Sequence, residues 1–157
     1  MTDSTNSARL SEIDWLVGEW RGYGVFSNRT TYIHKSFSYE IGGKFLVEKT
    51  IDMFPPDTPS TEFEIHQDQV FYFLNADKLE AVGFYGEGFV NCFNLTVEQS
   101  APKLIAQTYD VKNAPSGIRA RITYEQEGDD HLQGIFELAM PGKQFDIVEK
   151  LTMERIK

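Results

Sequence analysis

Leu10, Ile13, Leu16 and Val17 recur at helical spacing, with Ser7 or Ser11 available to cap and Glu12 and Asp14 early in the turn. That pattern predicts one short amphipathic helix near the N-terminus. After Gly18 the apolar period drops to two and stays there for nearly the whole remaining chain, which predicts strands. Phe37, Tyr39 and Ile41 share one strand face; Phe45, Val47, Ile51 and Met53 share the next; Phe71 and Phe73 follow. The series continues with Phe89, Phe93, Leu95 and Val97, then Ile118, Ile122 and Tyr124, then Leu132, Phe136, Leu138 and Met140. The alternate positions carry His34, Glu40, Glu48, Asp52, Asn94, Glu98, Arg119, Arg121 and Glu137, so one side is expected to be dry and the other wet.

Turn chemistry cuts this region into about ten strands. Gly42-Gly43 supplies the positive φ of a tight hairpin between 30–41 and 44–54. Pro55-Pro56 and Pro59 cannot continue a ladder and mark a longer connection. Further cuts fall at 75–78, 86–88, 100–102, 113–117, 127–130 and 141–143. No second helical stretch supports parallel crossovers, and no composition change marks a domain boundary. The expectation is therefore all-β: a closed antiparallel up-and-down barrel, with residues 1–7 a disordered tail and 8–157 a single domain. Closure is preferred to a sandwich because a meander of hairpins closes without long crossovers and leaves no free edge. A barrel wider than eight strands should enclose a cavity.

Charge narrows the partners. Lys+Arg 15 against Asp+Glu 24 gives −9, which offers no electrostatic reason to approach nucleic acid or an anionic membrane. The opening residues lack the basic and apolar regions of a secretory signal, and the single Cys92 cannot form a disulfide within the chain, so a cytoplasmic location is expected. A homodimer would use outward apolar residues such as Val90 or Ile105.

Candidate catalytic chemistry is sparse. His66 and Asp68 share a strand face and could join His34 or His131 in a metal site, but Glu62 and Glu64 share that parity and the face reads as solvated, so no metal is expected. His34 reads as facing water; buried against Glu48 across the hairpin it could serve as an acid/base pair. Cys92 has no neighbouring His or Lys to activate it and reads as inert. There is no nucleophile elbow and no phosphate-binding glycine loop.

The run Leu16-Val-Gly18-Glu-Trp20-Arg-Gly22-Tyr-Gly24 resembles the Gly-x-Trp opening of the lipocalin and fatty-acid-binding superfamily, in the Trp-Arg-Gly-x-Gly form of nitrobindin-type barrels and their bacterial relatives. Phe37 to Thr50, His66-x-Asp68 leading to Phe73, and Leu151-Thr-Met-Glu-Arg155 continue the resemblance over nearly the full chain. Trp20 can plug one barrel end while Arg155, on the last strand, stacks on its indole, so both are assigned to barrel closure. The resemblance also implies haem, held in such barrels by a His on the last strand. Matching Gly142 onward places Ile147 or Val148 there, and no His follows His131, so no cofactor is expected.

The resulting expectation is a lipocalin-like binding protein that sequesters a small hydrophobic or amphipathic molecule. Its expected contacts are Phe37, Tyr39, Phe45, Val47 and Phe71, with Phe73, Phe93, Ile122, Phe136 and Leu138. A tetrapyrrole carrier and a small-molecule enzyme using His34, His66 or Glu48 are the alternatives, and no catalytic residue is assigned.

Overall fold

A computed structural model describes residues 9–56, 58 and 62–157; the tail expected at 1–7 lies outside the described residues. The period-two region forms ten strands. They are β1 (Gly18–Phe26), β2 (Arg29–Glu40), β3 (Phe45–Phe54), β4 (Glu64–Asn75), β5 (Lys78–Phe84), β6 (Val90–Glu98), β7 (Lys103–Lys112), β8 (Arg119–Glu127), β9 (His131–Ala139) and β10 (Asp146–Arg155). Each pairs antiparallel with its sequence neighbour and β1 pairs with β10, so the sheet is a closed up-and-down barrel, as the hairpin spacing predicted.

The turns explain the register. Ile41, Gly42 and Gly43 all have positive φ (52°, 67° and 73°) and bring Glu40 opposite Phe45. Ser27 and Asn28, at φ 47° and 67°, make the β1–β2 hairpin with the two positive values that a tight turn between twisted strands requires.

The N-terminal segment is a 3-10 helix, Leu10–Leu16, interrupted at Ile13 (φ −111°, ψ 16°). It buries Ile13 and Leu16 in the same core as Trp20, across one end of the barrel. Trp20 is fully buried and donates its indole N–H to the Leu16 carbonyl at 2.8 Å. Arg155 faces Trp20 in the β1–β10 register, and its guanidinium carbon lies 4.1 Å from the centre of the indole. The same guanidinium donates to the carbonyls of Trp15 and Val17, tying the last strand to the helix and closing the ring. Phe37, Leu46, Tyr72, Phe93, Leu132 and Met153 fill this half of the interior.

Two strands turn the opposite face inward from the one their apolar residues suggested. On β3 the interior row is Leu46, Glu48, Thr50, Asp52 and Phe54, and on β4 it is Glu64, His66, Asp68, Val70 and Tyr72. Phe45, Phe71, Phe73 and Phe84 lie on the outer side and pack on one another, with ring centres 6.0–6.3 Å apart. Val47 is buried, but on that outer side. Alternation shows that two faces differ without saying which is inside, and here a polar row is interior, with Glu48 and Thr50 bonded to Lys35 and Asp52, Glu64, His66 and Asp68 bordering an unfilled space.

Candidate functional site

At the end of the barrel away from Trp20 the interior is not filled. A cavity of about 380 Å³ remains, within the size range of small-molecule sites. Its walls differ in chemistry: Ala120, Ile122, Phe136, Leu138 and Leu151 make an apolar side on β8–β10, while Lys35, Glu48, Thr50, Asp52 and Asp68 make a polar side on β2–β4. Of the contacts expected from the sequence, Ile122, Phe136 and Leu138 line this space. Phe37 and Phe93 point inward but belong to the filled half. Tyr39 sits beside the helix, where its hydroxyl donates to Asp14. Phe45, Val47, Phe71 and Phe73 are outside the barrel wall and do not border the cavity.

The floor of the cavity is a buried ionic network. Lys35 is 6% exposed and Glu48 2%. Lys35 Nζ donates to Glu48 Oε1 at 2.6 Å and to Thr50 Oγ1 at 2.7 Å; the Tyr124 hydroxyl reaches Oε1 at 2.7 Å and the Tyr72 hydroxyl reaches Oε2 at 2.6 Å. Burial opposes charge on both partners, but their mutual attraction and the hydrogen bonds prevail, so the Lys35 pKa is raised and that of Glu48 lowered. Burial and the Glu48 carboxylate push both tyrosines up, which keeps them as donors. A charge pair held by this many hydrogen bonds is a fixed wall of the cavity.

Three further carboxyls border the cavity without such partners. Asp68 accepts one hydrogen bond, from Gly86 N–H at 3.1 Å, and Glu149 accepts one from Thr31 Oγ1 at 3.3 Å. Asp52 Oδ1 and the Tyr85 hydroxyl are buried with no hydrogen-bond partner. Burial pushes the Asp68 carboxyl up to about 6 and, with the Asp52 charge adding to it, the Glu149 carboxyl up to about 7. Two local devices aim Glu149. Gly24 leaves room for it, since a Cβ there would lie 2.5 Å from Oε1. A bulge in the β9–β10 register between Ile147 and Glu149 lets consecutive residues Val148 and Glu149 both border the cavity.

The Glu149 shift has a defined sign for stability. Its folded pKa is raised, so the native state holds a proton that the unfolded chain releases above its ordinary value of 4.5, and the stability held below that value is lost as pH rises towards 7. Glu149→Gln is therefore expected to match the wild type near pH 4.5 and to exceed it by ~1–3 kcal/mol at pH 8. Urea unfolding at the two pH values measures this. Equal differences at both would show that Glu149 titrates normally.

At the rim, His66 is held by Glu87 on Nδ1 (2.6 Å) and by Glu64 on Nε2 (2.7 Å), and the Glu64 bond raises its pKa against the effect of burial, with Glu87 adding to the rise. His34 faces outward, 3.5 Å from Glu19, and lies on the opposite side of the sheet from Glu48, so the two form no acid/base pair. His131 is near Glu154 at 3.8 Å. Among the described residues no three His, Cys, Asp or Glu side chains stand together in a way that could hold a metal ion. Nor does the donor set suit a haem. Among the described lining residues His66 is the one imidazole and both its nitrogens are engaged, and neither Ile147 nor Val148, the positions at which the resemblance places the axial ligand, has a side chain that can ligate iron.

No protein-family model matches the chain, and no curated protein matches it. Among solved structures, the crystal structure of Rv2717c from M. tuberculosis superposes with a TM-score of 0.72 at 15% identity, over 94% of this chain and 97% of that one. At that identity the likeness concerns the fold alone. A protein of unknown function from the DUF3598 family of Nostoc punctiforme matches over 95% of this chain and 99% of its own, with a TM-score of 0.32 and 7% identity.

The sequence pattern pointed to the barrel and to its aromatic interior but passed over the polar wall. Lys35 carried the available signal. It shares parity with Ile33 and Phe37 on β2, so an inward row containing a lysine demands a buried acceptor. The Gly42-Gly43 hairpin sets Lys35 opposite Thr50, which makes Glu48 its diagonal neighbour.

Proposed function

We propose that the protein binds a small amphipathic molecule inside the barrel, with the apolar body of the guest against β8–β10 and its polar end towards β2–β4. The observation that carries this reading is the cavity of about 380 Å³ left between those two walls. Burial of the guest's apolar surface contributes about 25 cal/mol per Å², and the few polar groups fix its orientation. Nothing in this reading requires turnover; its physical content is sequestration.

A neutral fluorophore, N-phenyl-1-naphthylamine, tests it. The wild type is expected to enhance its emission saturably with one site per chain. Ile122→Trp, which fills the apolar wall, is expected to weaken that binding at least about tenfold, about 1.4 kcal/mol, with a thermal midpoint close to the wild type. Absence of uptake by the wild type, or undiminished uptake by a folded Ile122→Trp protein, would overturn the proposal.

A further inference from the structure

Charge around the cavity does not balance. Six carboxyls border it, those of Glu48, Asp52, Glu64, Asp68, Glu87 and Glu149, against the cations Arg29 and Lys35 and the imidazole of His66. The cations are committed. Lys35 belongs to Glu48; Arg29 lies 3.7 Å from Glu64, donates to the Pro55 carbonyl and stacks on Phe54; His66 bridges Glu64 and Glu87. Among the described residues this leaves Asp52, Asp68 and Glu149 with no cation within ion-pair distance. On the same wall Asp52 Oδ1 and the Tyr85 hydroxyl are buried without a hydrogen-bond partner, so its own groups leave polar atoms unsatisfied. Buried polar atoms in native proteins are rarely left this way, and an absent ligand is one standing explanation.

We infer that the guest is an organic cation, a primary or substituted ammonium on an apolar body, whose charged head sits among the carboxyls of Asp52, Asp68 and Glu149. This rests on the binding function proposed above and adds the charge of the ligand. An anionic guest is disfavoured because it would meet three carboxyls with no free cation to receive it. A neutral one would leave their mutual repulsion in place. An ammonium group supplies the missing positive charge and up to three donors to a row of acceptors. The apolar wall opposite gives the rest of such a molecule its burial. Protons compete with the cation for these carboxyls: burial holds Asp68 up to about 6 and Glu149 up to about 7 in the empty protein, so cation binding releases protons and tightens as pH rises from 5 to 8. Of the other titratable groups facing them, Lys35 is paired with Glu48, Glu64 with Arg29 and His66, and Glu87 with His66, while burial pushes the Tyr85 hydroxyl up and keeps it protonated.

Three probes of one shape, 4-phenylbutylamine, 4-phenylbutanol and 4-phenylbutyrate, separate the possibilities by isothermal titration of the full-length protein. At pH 8 the amine is expected to bind at least about tenfold more tightly than the alcohol, and the carboxylate more weakly than either. Amine affinity should fall as pH is lowered to 5 while that of the alcohol stays level. Asp52→Asn and Glu149→Gln should each reduce the advantage of the amine and leave alcohol binding unchanged; both remove an unbalanced buried charge, so neither threatens folding. An amine that binds no more tightly than the alcohol, or whose advantage survives Asp52→Asn, Asp68→Asn and Glu149→Gln combined, overturns the charge assignment while leaving cavity binding intact. If the alcohol and N-phenyl-1-naphthylamine also fail to bind, the binding function itself falls.

Discussion

Glu48→Ala is expected to lower folding stability by about 3–5 kcal/mol, because it strands Lys35 as an unpaired buried charge. Lys35 is 6% exposed and its ammonium has two hydrogen-bond partners, the carboxylate and Thr50. The substitution also removes the acceptor of two buried hydroxyls, those of Tyr72 and Tyr124. The decisive comparison is the double variant Lys35→Met with Glu48→Gln, which has no buried charge to strand and retains an amide oxygen for one tyrosine. It should recover most of the loss, since removing a buried pair together costs far less than breaking it. Urea midpoints with unchanged m-values would report both effects. A Glu48→Ala protein within about 1 kcal/mol of the wild type would mean that water reaches Lys35 and that the cavity floor is not dry.

Gly22→Ala should be comparably severe for a different reason. Gly22 has no positive φ, so the cost does not lie in backbone preference. A Cβ there would fall 1.9 Å from the Thr152 carbonyl oxygen and 2.7 Å from Met153 Cα, both main-chain atoms of β10 that cannot swing aside. The β1–β10 seam must part to admit one methyl group, with an expected loss of about 3 kcal/mol or more. Trp20 lies two residues away on the same interior face and is fully buried, so its emission reports the seam. In a Trp15→Phe background the alanine variant should shift that emission to the red and lower the thermal midpoint. An unshifted spectrum would show that the barrel closes without this glycine.

The architecture was legible because turns and alternation are local. Gly42-Gly43, Pro55-Pro56 and Pro141-Gly142 mark strand ends through dihedral and donor constraints that hold in any fold, and the observed strands stop where these residues stand. Trp20 and Arg155 were legible as a pair because closing a meander brings its first and last strands together. The cavity wall was harder to read. Phe45, Phe71 and Phe73 look like core by composition, yet the interior of β3 and β4 is the polar row, and only partners from distant strands make that burial possible. Glu48 is completed by Tyr124, 76 residues away, and Thr31 meets Glu149 across 118 residues. Val148 and Glu149 share the cavity through a bulge that period-two counting assigns to opposite faces. The helix was expected from apolar spacing; Ile13 departs from helical geometry and the segment winds as 3-10.

The interior is filled unevenly along the barrel axis. Side chains from the helix, Trp20 and the adjoining layer pack one half solid, whereas the other half is bounded by residues that touch little across the gap. The closing contacts of the ring and the unfilled space therefore occupy different stretches of the same ten strands. Substitution near the rim can reshape the hollow without disturbing the Trp20–Arg155 contact at the far end, so the shape and charge of the unpacked end can change while the packed end stays as it is.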